Sequence, residues 1–309
     1  MLIIYGLLVL MVVIWSFSFV LVDITVELFM PAMSLALTRF LIASLVFIIV
    51  DIYFFINRKI RTNKIEERKE KVFYSKREWI YIIIASFCGT TLFFVIQYTA
   101  IGLIGPTLPA LFVCLLSPVL ITVLALIFFK EKLTSVKLIG FIIATIGGFL
   151  LVTGGDLGTL TPKAPNFIGY LYALITPLLW AIYTIATKKI SKEKSNLITL
   201  KYIAYFGTVE LFVFVLLNNE LLIFIQNLTK IFVLITGLYL GIGCYIIGYF
   251  IWQKSQKELK SSKGASFLYI EPFLTLIFST LLNRPETILI WNLVGGFIVL
   301  AAVLIINYN

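Results

Sequence analysis

The chain has 309 residues, of which 61% are hydrophobic and only 13% are charged. Soluble domains carry about a quarter of charged residues, so this composition excludes an ordinary soluble protein and indicates an integral membrane protein. Histidine is absent, which excludes histidine metal ligands, general bases and proton relays. We expect no metal site and no cofactor. Cys88, Cys114 and Cys244 lie in apolar runs and are interpreted as small hydrophobic residues.

Apolar runs that are long enough to cross a bilayer follow one another along the whole chain. A crossing helix needs about 17 to 25 predominantly apolar residues. The first five runs cover residues 2–22, 31–56, 79–101, 105–129 and 134–153. A connector rich in Gly and Pro follows at 154–166. The last five runs cover residues 167–187, 198–217, 230–252, 264–282 and 287–307. The sequence therefore predicts an all-α polytopic membrane protein with ten transmembrane helices.

Basic residues fall mainly in alternate loops. If the N-terminus is cytoplasmic, the second loop (57–78) carries nine of the 25 Lys and Arg residues, and the fourth, sixth and eighth loops carry three, five and four. The opposite side receives Lys163, Lys230 and Arg284, and Arg39 lies within a span. Because cytoplasmic loops are enriched in Lys and Arg, both termini are predicted to be cytoplasmic. The net charge of +10 then reflects orientation and attraction to anionic lipid, not nucleic-acid binding.

The two groups of five spans share landmarks in the same order. Each landmark pairs one residue from each half: Trp15 and Trp180, Pro118 and Pro272, Glu131 and Glu286, and Gly140 and Gly295. Two similar halves with an odd number of spans are inverted relative to each other in the membrane. We therefore expect two inverted five-helix repeats, residues 1–153 and 167–309, around a central cavity.

Short motifs support this division. Those of the first half are WSFSFV at Trp15, Arg39-Phe40-Leu41, Tyr98-Thr99-Ala100, LLSPV ending at Val119, KEKLT from Lys130, Gly140 and Gly147-Gly148. The second half repeats them more loosely through Trp180, Trp252, YIEPF at Tyr269, Glu286 and Gly295-Gly296. This order resembles the EamA-type repeat of the drug/metabolite transporter superfamily. Ser16, in place of the usual glycine after the first Trp, departs from the pattern, as do Lys254 and Lys257. The resemblance implies ten helices in two inverted halves, a central cavity, cytoplasmic termini, and transport, often export, of small metabolites such as amino acids.

Arg39 and Glu271 are ionisable residues within predicted spans. Such groups are costly in a bilayer unless they face a cavity or pair with a partner. Arg39 is interpreted either as a fixed cation for an anionic group of the substrate or as a brace between helices. Glu271 precedes Pro272, which frees a backbone carbonyl and loosens the helix. Its carboxylate is a candidate to accept a substrate amine, to pair with Arg39 or to exchange a proton.

Three further acidic residues lie in or near predicted spans. Glu210, in the seventh span, is another candidate for substrate binding or coupling. Asp23 and Asp51 lie at span ends, where we expect them to be solvated.

Aromatic and polar side chains complete the candidate site. Rings in a cavity can stack on a planar group, an apolar group or a cation, although packing against lipid or core remains the alternative for each ring. Ser117 is the counterpart of Glu271 in the repeat, and Pro118 and Pro272 are predicted helix breaks. The candidates for substrate binding or coupling are Trp15, Arg39, Gln97, Tyr98, Ser117, Trp180, Tyr183, Glu210, Tyr245, Tyr249 and Glu271.

Glycines predict where helices approach closely. Gly140, Ala144 and Gly148 share one face of the fifth span, and Gly237 and Gly241 share one face of the eighth span.

These patterns predict a secondary transporter, an exporter of small organic metabolites such as amino acids or amines, in the plasma or inner membrane. It would work by alternating access around a midplane cavity, with a proton or ion as a possible coupling partner. No G-x-x-x-x-G-K-[ST] run is present, and no visible apparatus for enzymatic chemistry is found. A lipid-handling membrane protein and a transporter-derived sensor or scaffold remain alternatives.

Overall fold

Helices account for nearly all of the chain that the structure, a computed structural model, describes: residues 2–61, 74–130, 134–153, 155, 167–191, 194–284 and 290–307. The helices of the first half are α1 (Leu2–Leu28), α2 (Ala32–Arg61), α3 (Lys76–Ser86), α4 (Phe93–Ile104), α5 (Thr107–Phe129) and α6 (Ser135–Thr153). Those of the second half are α7 (Phe167–Ser191), α8 (Asn196–Leu217), α9 (Leu221–Leu228), α10 (Ile231–Leu238), α11 (Phe250–Glu258), α12 (Ser261–Ser266), α13 (Glu271–Leu281) and α14 (Ile290–Asn307).

Three segments that join consecutive α-helices are themselves helical but do not have α-helical geometry. The π-helical segment π1 (Phe87–Leu92) joins α3 to α4, and the π-helical segment π2 (Tyr239–Tyr249) joins α10 to α11. A 3₁₀ segment (Phe267–Ile270) joins α12 to α13. Segments of both kinds within helices are often found at functional sites.

Within the described residues, eight helices are long and apolar enough to cross a membrane. They are Ile3–Leu28, Ala32–Asn57, Lys76–Ile104, Thr107–Phe129, Phe167–Ile190, Asn196–Leu217, Ile231–Glu258 and Ser261–Leu281. Two shorter apolar helices, Ser135–Leu150 and Val294–Ile306, lie at the fifth and tenth predicted runs. The described part of the chain is therefore a multi-pass membrane protein with eight candidate spans, whereas the sequence predicts ten.

The non-helical segment between the eighth and ninth predicted runs is shorter than expected. The polar stretch 253–264 was expected to be a loop, but α11 continues to residue 258 and α12 begins at residue 261. Gln253, Ser255 and Gln256 are buried in the bundle. Hydropathy alone misses these turns because their polar side chains face protein and not water.

Large apolar side chains cover the outside of the bundle, as lipid-facing helices require. Ile3, Leu217 and Leu304 are among the most exposed of them. The interior also contains small residues that allow helices to approach closely. Gly140 on α6 packs against Ile306 on α14, so the predicted close contact at this glycine is present. Glu131, Glu286 and most of the basic loop 57–78 lie outside the described residues.

The prediction that Asp23 is solvated is wrong. Asp23 was expected to be solvated at the end of the first span, but α1 continues past it and the residue is only 7% exposed. Its Oδ2 lies 2.6 Å from Nη2 of Arg284, which also pairs with Glu27. The buried carboxylate is compensated by this opposite charge, which comes from the segment after α13. Asp51, in contrast, is half-exposed and pairs with Lys201 at 3.0 Å.

Candidate functional site: a cavity inside the helix bundle

A cavity of about 60 Å³ lies inside the bundle, among helices of both halves. Seven of the predicted site residues line it: Trp15, Arg39, Gln97, Tyr98, Trp180, Tyr249 and Glu271. They come from α1, α2, α4, α7, π2 and α13, which lie far apart in the sequence. These seven residues therefore bring together a guanidinium, a carboxylate, an amide and four aromatic side chains at the cavity.

Arg39 is held by aromatic side chains. It is 3% exposed, and its Nη1 donates a hydrogen bond to the Tyr98 hydroxyl at 3.0 Å. The guanidinium carbon lies 4.1 Å from the centre of the Phe94 ring, which is a cation–π distance. Gly241 allows π2 to approach the backbone of Arg39 closely, because a Cβ there would lie 2.8 Å from the Arg39 carbonyl oxygen. The ion pairs among the described residues do not include an Arg39–Glu271 pair.

Glu271 stands at the point where the 3₁₀ segment becomes α13. Pro272 follows it in the first turn of α13, where a missing backbone N–H costs least. The Glu271 carbonyl accepts hydrogen bonds from the Ser16 hydroxyl at 3.1 Å and from the Thr275 hydroxyl at 2.9 Å, which ties α13 to α1. The side chain is 3% exposed, and its Oε2 accepts a hydrogen bond from the Cys114 thiol at 3.3 Å. A thiol is a weak donor, so this carboxylate keeps most of its capacity for a ligand.

Trp15, Trp180 and Tyr249 form one wall of the cavity, hereafter the aromatic wall. The Trp15 and Trp180 rings meet edge to face at 5.4 Å, and the Trp180 and Tyr249 rings do so at 5.3 Å. Trp15 is fixed by a hydrogen bond from its Nε1 to the Cys244 carbonyl at 3.0 Å. Edge-to-face contacts and this bond make the wall a rigid surface for an apolar or planar part of a ligand.

Tyr183 and Tyr245 lie behind the aromatic wall and do not line the cavity. Tyr183 stacks on Trp180 at 5.0 Å, and its hydroxyl accepts a hydrogen bond from Gln253 at 3.1 Å. The Tyr245 hydroxyl donates to the Leu200 carbonyl at 2.8 Å. Tyr183 and Tyr245 therefore pack behind the aromatic wall, against Trp180 and Tyr249 respectively.

The contribution of α5 differs from the prediction. Ser117 is buried but does not line the cavity, and its hydroxyl has no hydrogen bond within the described residues. The residue that faces Glu271 is Cys114, one turn earlier on the same face. Helix α5 continues through Pro118, whereas a 3₁₀ segment precedes Glu271 and Pro272. Sequence reasoning treated Cys114 as a hydrophobe and missed it, together with Ser18, Phe93 and Phe94, which also line the cavity.

Glu210 lies elsewhere. Its side chain is half-buried where α8 meets α3 and π1, and it accepts hydrogen bonds from Ser86 and Thr91. It does not line the cavity.

Several buried polar atoms around the cavity have no partner in the described part of the protein. They are both polar atoms of the Gln97 side chain, Nε of Arg39 and Nε1 of Trp180. Buried polar groups in proteins are nearly always hydrogen-bonded, so unpartnered groups at a cavity indicate a place for a ligand or water. The described residues hold no group of three or more Cys, Asp or Glu side chains that could bind a metal ion.

Comparisons with known proteins agree with this architecture. The sequence profile of the EamA-like transporter family matches residues 2–153 and again residues 167–308. The uncharacterized transporter YyaM of Bacillus subtilis is 28% identical over 93% of this chain and 88% of its own length. An uncharacterized transporter of Archaeoglobus fulgidus is 25% identical over 96% of this chain and 94% of its own length.

A solved crystal structure superimposes on this one with a TM-score of 0.65 and 17% sequence identity. The match covers 97% of this chain and 96% of the other chain. At that identity the likeness concerns the fold alone. The family profile accounts for almost the whole chain in two successive copies, and the relatives are transporters. This chain therefore belongs to the EamA-like transporter family, and its activity is membrane transport.

Proposed function

We propose that this protein is a secondary transporter, an exporter of small organic metabolites such as amino acids or amines, in the plasma or inner membrane. The eight candidate spans and the two shorter apolar helices would supply ten crossing segments in two inverted halves. The alternation of Lys-rich and Lys-poor loops supports cytoplasmic termini. A gradient of substrate or of a coupling ion would drive the flux, since the sequence contains no P-loop.

One observation carries the proposal: the cavity holds charged and polar groups whose hydrogen-bonding capacity the protein does not use. Glu271 accepts only a thiol bond at its carboxylate among the described residues, and the Gln97 side chain makes none. An amine would find its acceptor at Glu271, and a carboxylate or amide would find donors at Arg39 and Gln97. The aromatic wall would receive the remaining apolar part.

The origin of the lining residues supports alternating access as the mechanism. Trp15, Arg39 and Gln97 belong to the first copy of the family repeat, whereas Trp180 and Glu271 belong to the second. A rocking motion between the two copies would separate these residues on one side of the membrane and then on the other.

Counterflow in proteoliposomes tests the proposal. Purified protein would be assayed with a panel of labelled amino acids and amines, and we expect exchange with at least one of them. Glu271→Gln and Arg39→Ala should each lower that exchange by about tenfold or more, since a hydrogen bond to a charged group contributes about 1.5–3 kcal/mol.

Glu220→Gln is the matched control for this assay. Glu220 also accepts a hydroxyl from another helix, Ser34 at 2.8 Å, but it lies at the start of α9 and outside the cavity. Its exchange should equal that of the wild type. Absence of exchange across the panel would favour a sensor or scaffold, and exchange that ignores both cavity variants would disconnect transport from this cavity.

A further inference from the structure

Glu210 is an acidic residue within a span that the cavity does not use. It lies on α8 inside the candidate span Asn196–Leu217, and its neighbours Val209 and Val213 are 64% and 45% exposed on the apolar surface. A charged carboxylate at this depth costs several kcal/mol unless it pairs or faces water. None of the ion pairs among the described residues includes Glu210. The charged form of Glu210 is therefore unfavourable in free energy. Packing alone does not explain a carboxyl group at this position.

The hydrogen bonds of Glu210 fit a carboxyl group that exists with and without a proton. Ser86 donates at 3.1 Å and Thr91 donates as well, and both donate to the same oxygen, Oε2. Within the described residues, Oε1 accepts no hydrogen bond. A proton bound from water to Oε1 would leave both bonds to Oε2 in place, because a carbonyl oxygen has two lone pairs.

Few other titratable groups lie near Glu210 in the described part of the chain. Cys88 belongs to π1, the segment that also holds the donor Thr91, and the contact from α3 is a neutral hydroxyl, that of Ser86. From α2, Ser44 bonds Thr208 near this level, whereas Asp51 lies farther along and pairs with Lys201. On the remaining neighbours, α7, α11 and π2, the described ionisable groups form no hydrogen bond or ion pair with Glu210.

The donors to Glu210 belong to a segment that also contacts the cavity. Ser86 is the last residue of α3, and Thr91 lies in π1. On its other side, π1 offers the Gly89 carbonyl to the hydroxyl of Tyr249, a residue of the aromatic wall, at 3.4 Å. Helix α4 begins directly after π1 and carries Phe93, Phe94, Gln97 and Tyr98 into the cavity. A change at Glu210 is thus two hydrogen bonds away from the aromatic wall.

We propose that Glu210 is a proton-binding site, separate from the cavity, that couples proton binding to the cavity through π1. The role as a coupling site rests on the proposed transport function and names the proton as the coupling ion. The charged carboxylate holds Ser86 and Thr91 by charge-assisted hydrogen bonds, which are about twice as strong as neutral ones. When Oε1 takes a proton from water, the bonds from Ser86 and Thr91 weaken. The π1 segment is then less tightly held and can shift relative to Tyr249, which bonds the Gly89 carbonyl. When the proton returns to water, π1 is held again.

Two spectroscopic measurements on purified protein in nanodiscs test this without any substrate. Infrared spectra across acidic to alkaline pH report the C=O stretch of a protonated carboxylic acid, and tryptophan fluorescence reports the aromatic wall. We expect the difference between wild-type and Glu210→Gln spectra to contain a carboxylic acid band that disappears as the pH rises, with a fluorescence change at the same midpoint. Glu210→Gln should lack this band and this fluorescence change, whereas the control Glu220→Gln should retain both.

Further variants keep the test decisive if Glu210→Gln folds poorly. Thr91→Val leaves the carboxyl group in place but removes a donor to the anion, so it should move both midpoints toward higher pH. The control Thr145→Val removes a hydroxyl that bonds only the Phe141 carbonyl on α6, and it should move neither.

Other results would overturn the inference. A wild type without a pH-dependent band, a response lost in Glu271→Gln but kept in Glu210→Gln, or midpoints unmoved by Thr91→Val would each do so. A band that titrates at Glu210 without a fluorescence change would refute the coupling. Because neither readout needs flux, a failed counterflow assay would reject the transport proposal separately.

Discussion

Glu271 and Glu210 are both acidic residues within candidate spans of the second half, yet their surroundings are opposite in kind. Glu271 is almost fully buried, lines the cavity and accepts one weak thiol bond at its carboxylate. Glu210 is half-buried, lies outside the cavity and accepts two hydroxyl bonds at one oxygen. The Glu271 carboxylate, with one weak donor beside a cavity, has acceptor capacity left for a ligand. At Glu210 two hydroxyls stabilise the charged form through Oε2, and Oε1 is the atom proposed to take a proton.

The largest expected effect comes from overpacking the aromatic wall. A Cβ on Gly248 would overlap the Trp15 indole, which is fixed by its bond to the Cys244 carbonyl. Gly248→Val should therefore push the aromatic wall into the cavity and lower counterflow exchange by about tenfold or more, in line with overpacking costs of about 1–3 kcal/mol. Gly6→Val is the control, because nothing lies within 4 Å of a Cβ there.

The same steric probe distinguishes the two carboxyl groups. A Cβ on Gly207 would overlap the hydroxyl of Thr90, which precedes the Glu210 donor Thr91 in π1; neither Gly207 nor Thr90 lines the cavity. Gly207→Val should disturb the pH response and leave exchange above that of Gly248→Val. If Gly207→Val lowers exchange as much as Gly248→Val, the separation of the two sites is wrong.

An intermediate effect is expected on stability. Thr91→Val removes a hydroxyl that donates to Glu210 and should lower the free energy of unfolding by about 1–2 kcal/mol. Unfolding in mixed micelles would measure it. Thr145→Val, which loses only a bond to a backbone carbonyl of its own helix, should change it by less than about 0.5 kcal/mol. Equal losses would mean that the Glu210 bond contributes nothing beyond a helix-internal one.

The smallest effect is expected from making the two carboxyl groups alike. Cys114→Ser gives Glu271 a hydroxyl donor like those of Glu210, so the carboxylate becomes better satisfied within the protein. The substrate concentration for half-maximal exchange should rise by about two- to fivefold. Cys88→Ser, outside the cavity, should leave it unchanged. A lower concentration in Cys114→Ser would show that Glu271 does not accept the substrate.

Hydropathy predicted most helices because lipid demands long apolar runs, but it could not predict their ends where protein replaces lipid or water. Asp23 illustrates this limit. Its charge suggested a span end, whereas the compensating Arg284 comes from a distant part of the chain. A single sequence does not reveal such a partner.

The site was predictable where residues are chemically unusual for a membrane and unpredictable where they are common. Arg39 and Glu271 attract notice in any apolar run, and both line the cavity. Cys114 and Phe94 do not, because a helix that is apolar on every side gives no period to show which face is inward. Ser117 was predicted as the counterpart of Glu271 because a proline follows each residue, whereas Cys114 was interpreted as a small hydrophobic residue. In the structure Cys114, one turn before Ser117, contacts Glu271.

The π1 segment also sets the helical phase of the third candidate span, Lys76–Ile104. Each residue advances an α-helix by about 100°, and a π turn accommodates one additional residue, so α4 is rotated against α3 relative to an uninterrupted helix. Deleting one residue from 87–92 would restore a uniform pitch and turn Phe93, Gln97 and Tyr98 away from their present neighbours. Alignments that slide a gap freely through this stretch would therefore assign the wrong face of the helix to the substrate pathway.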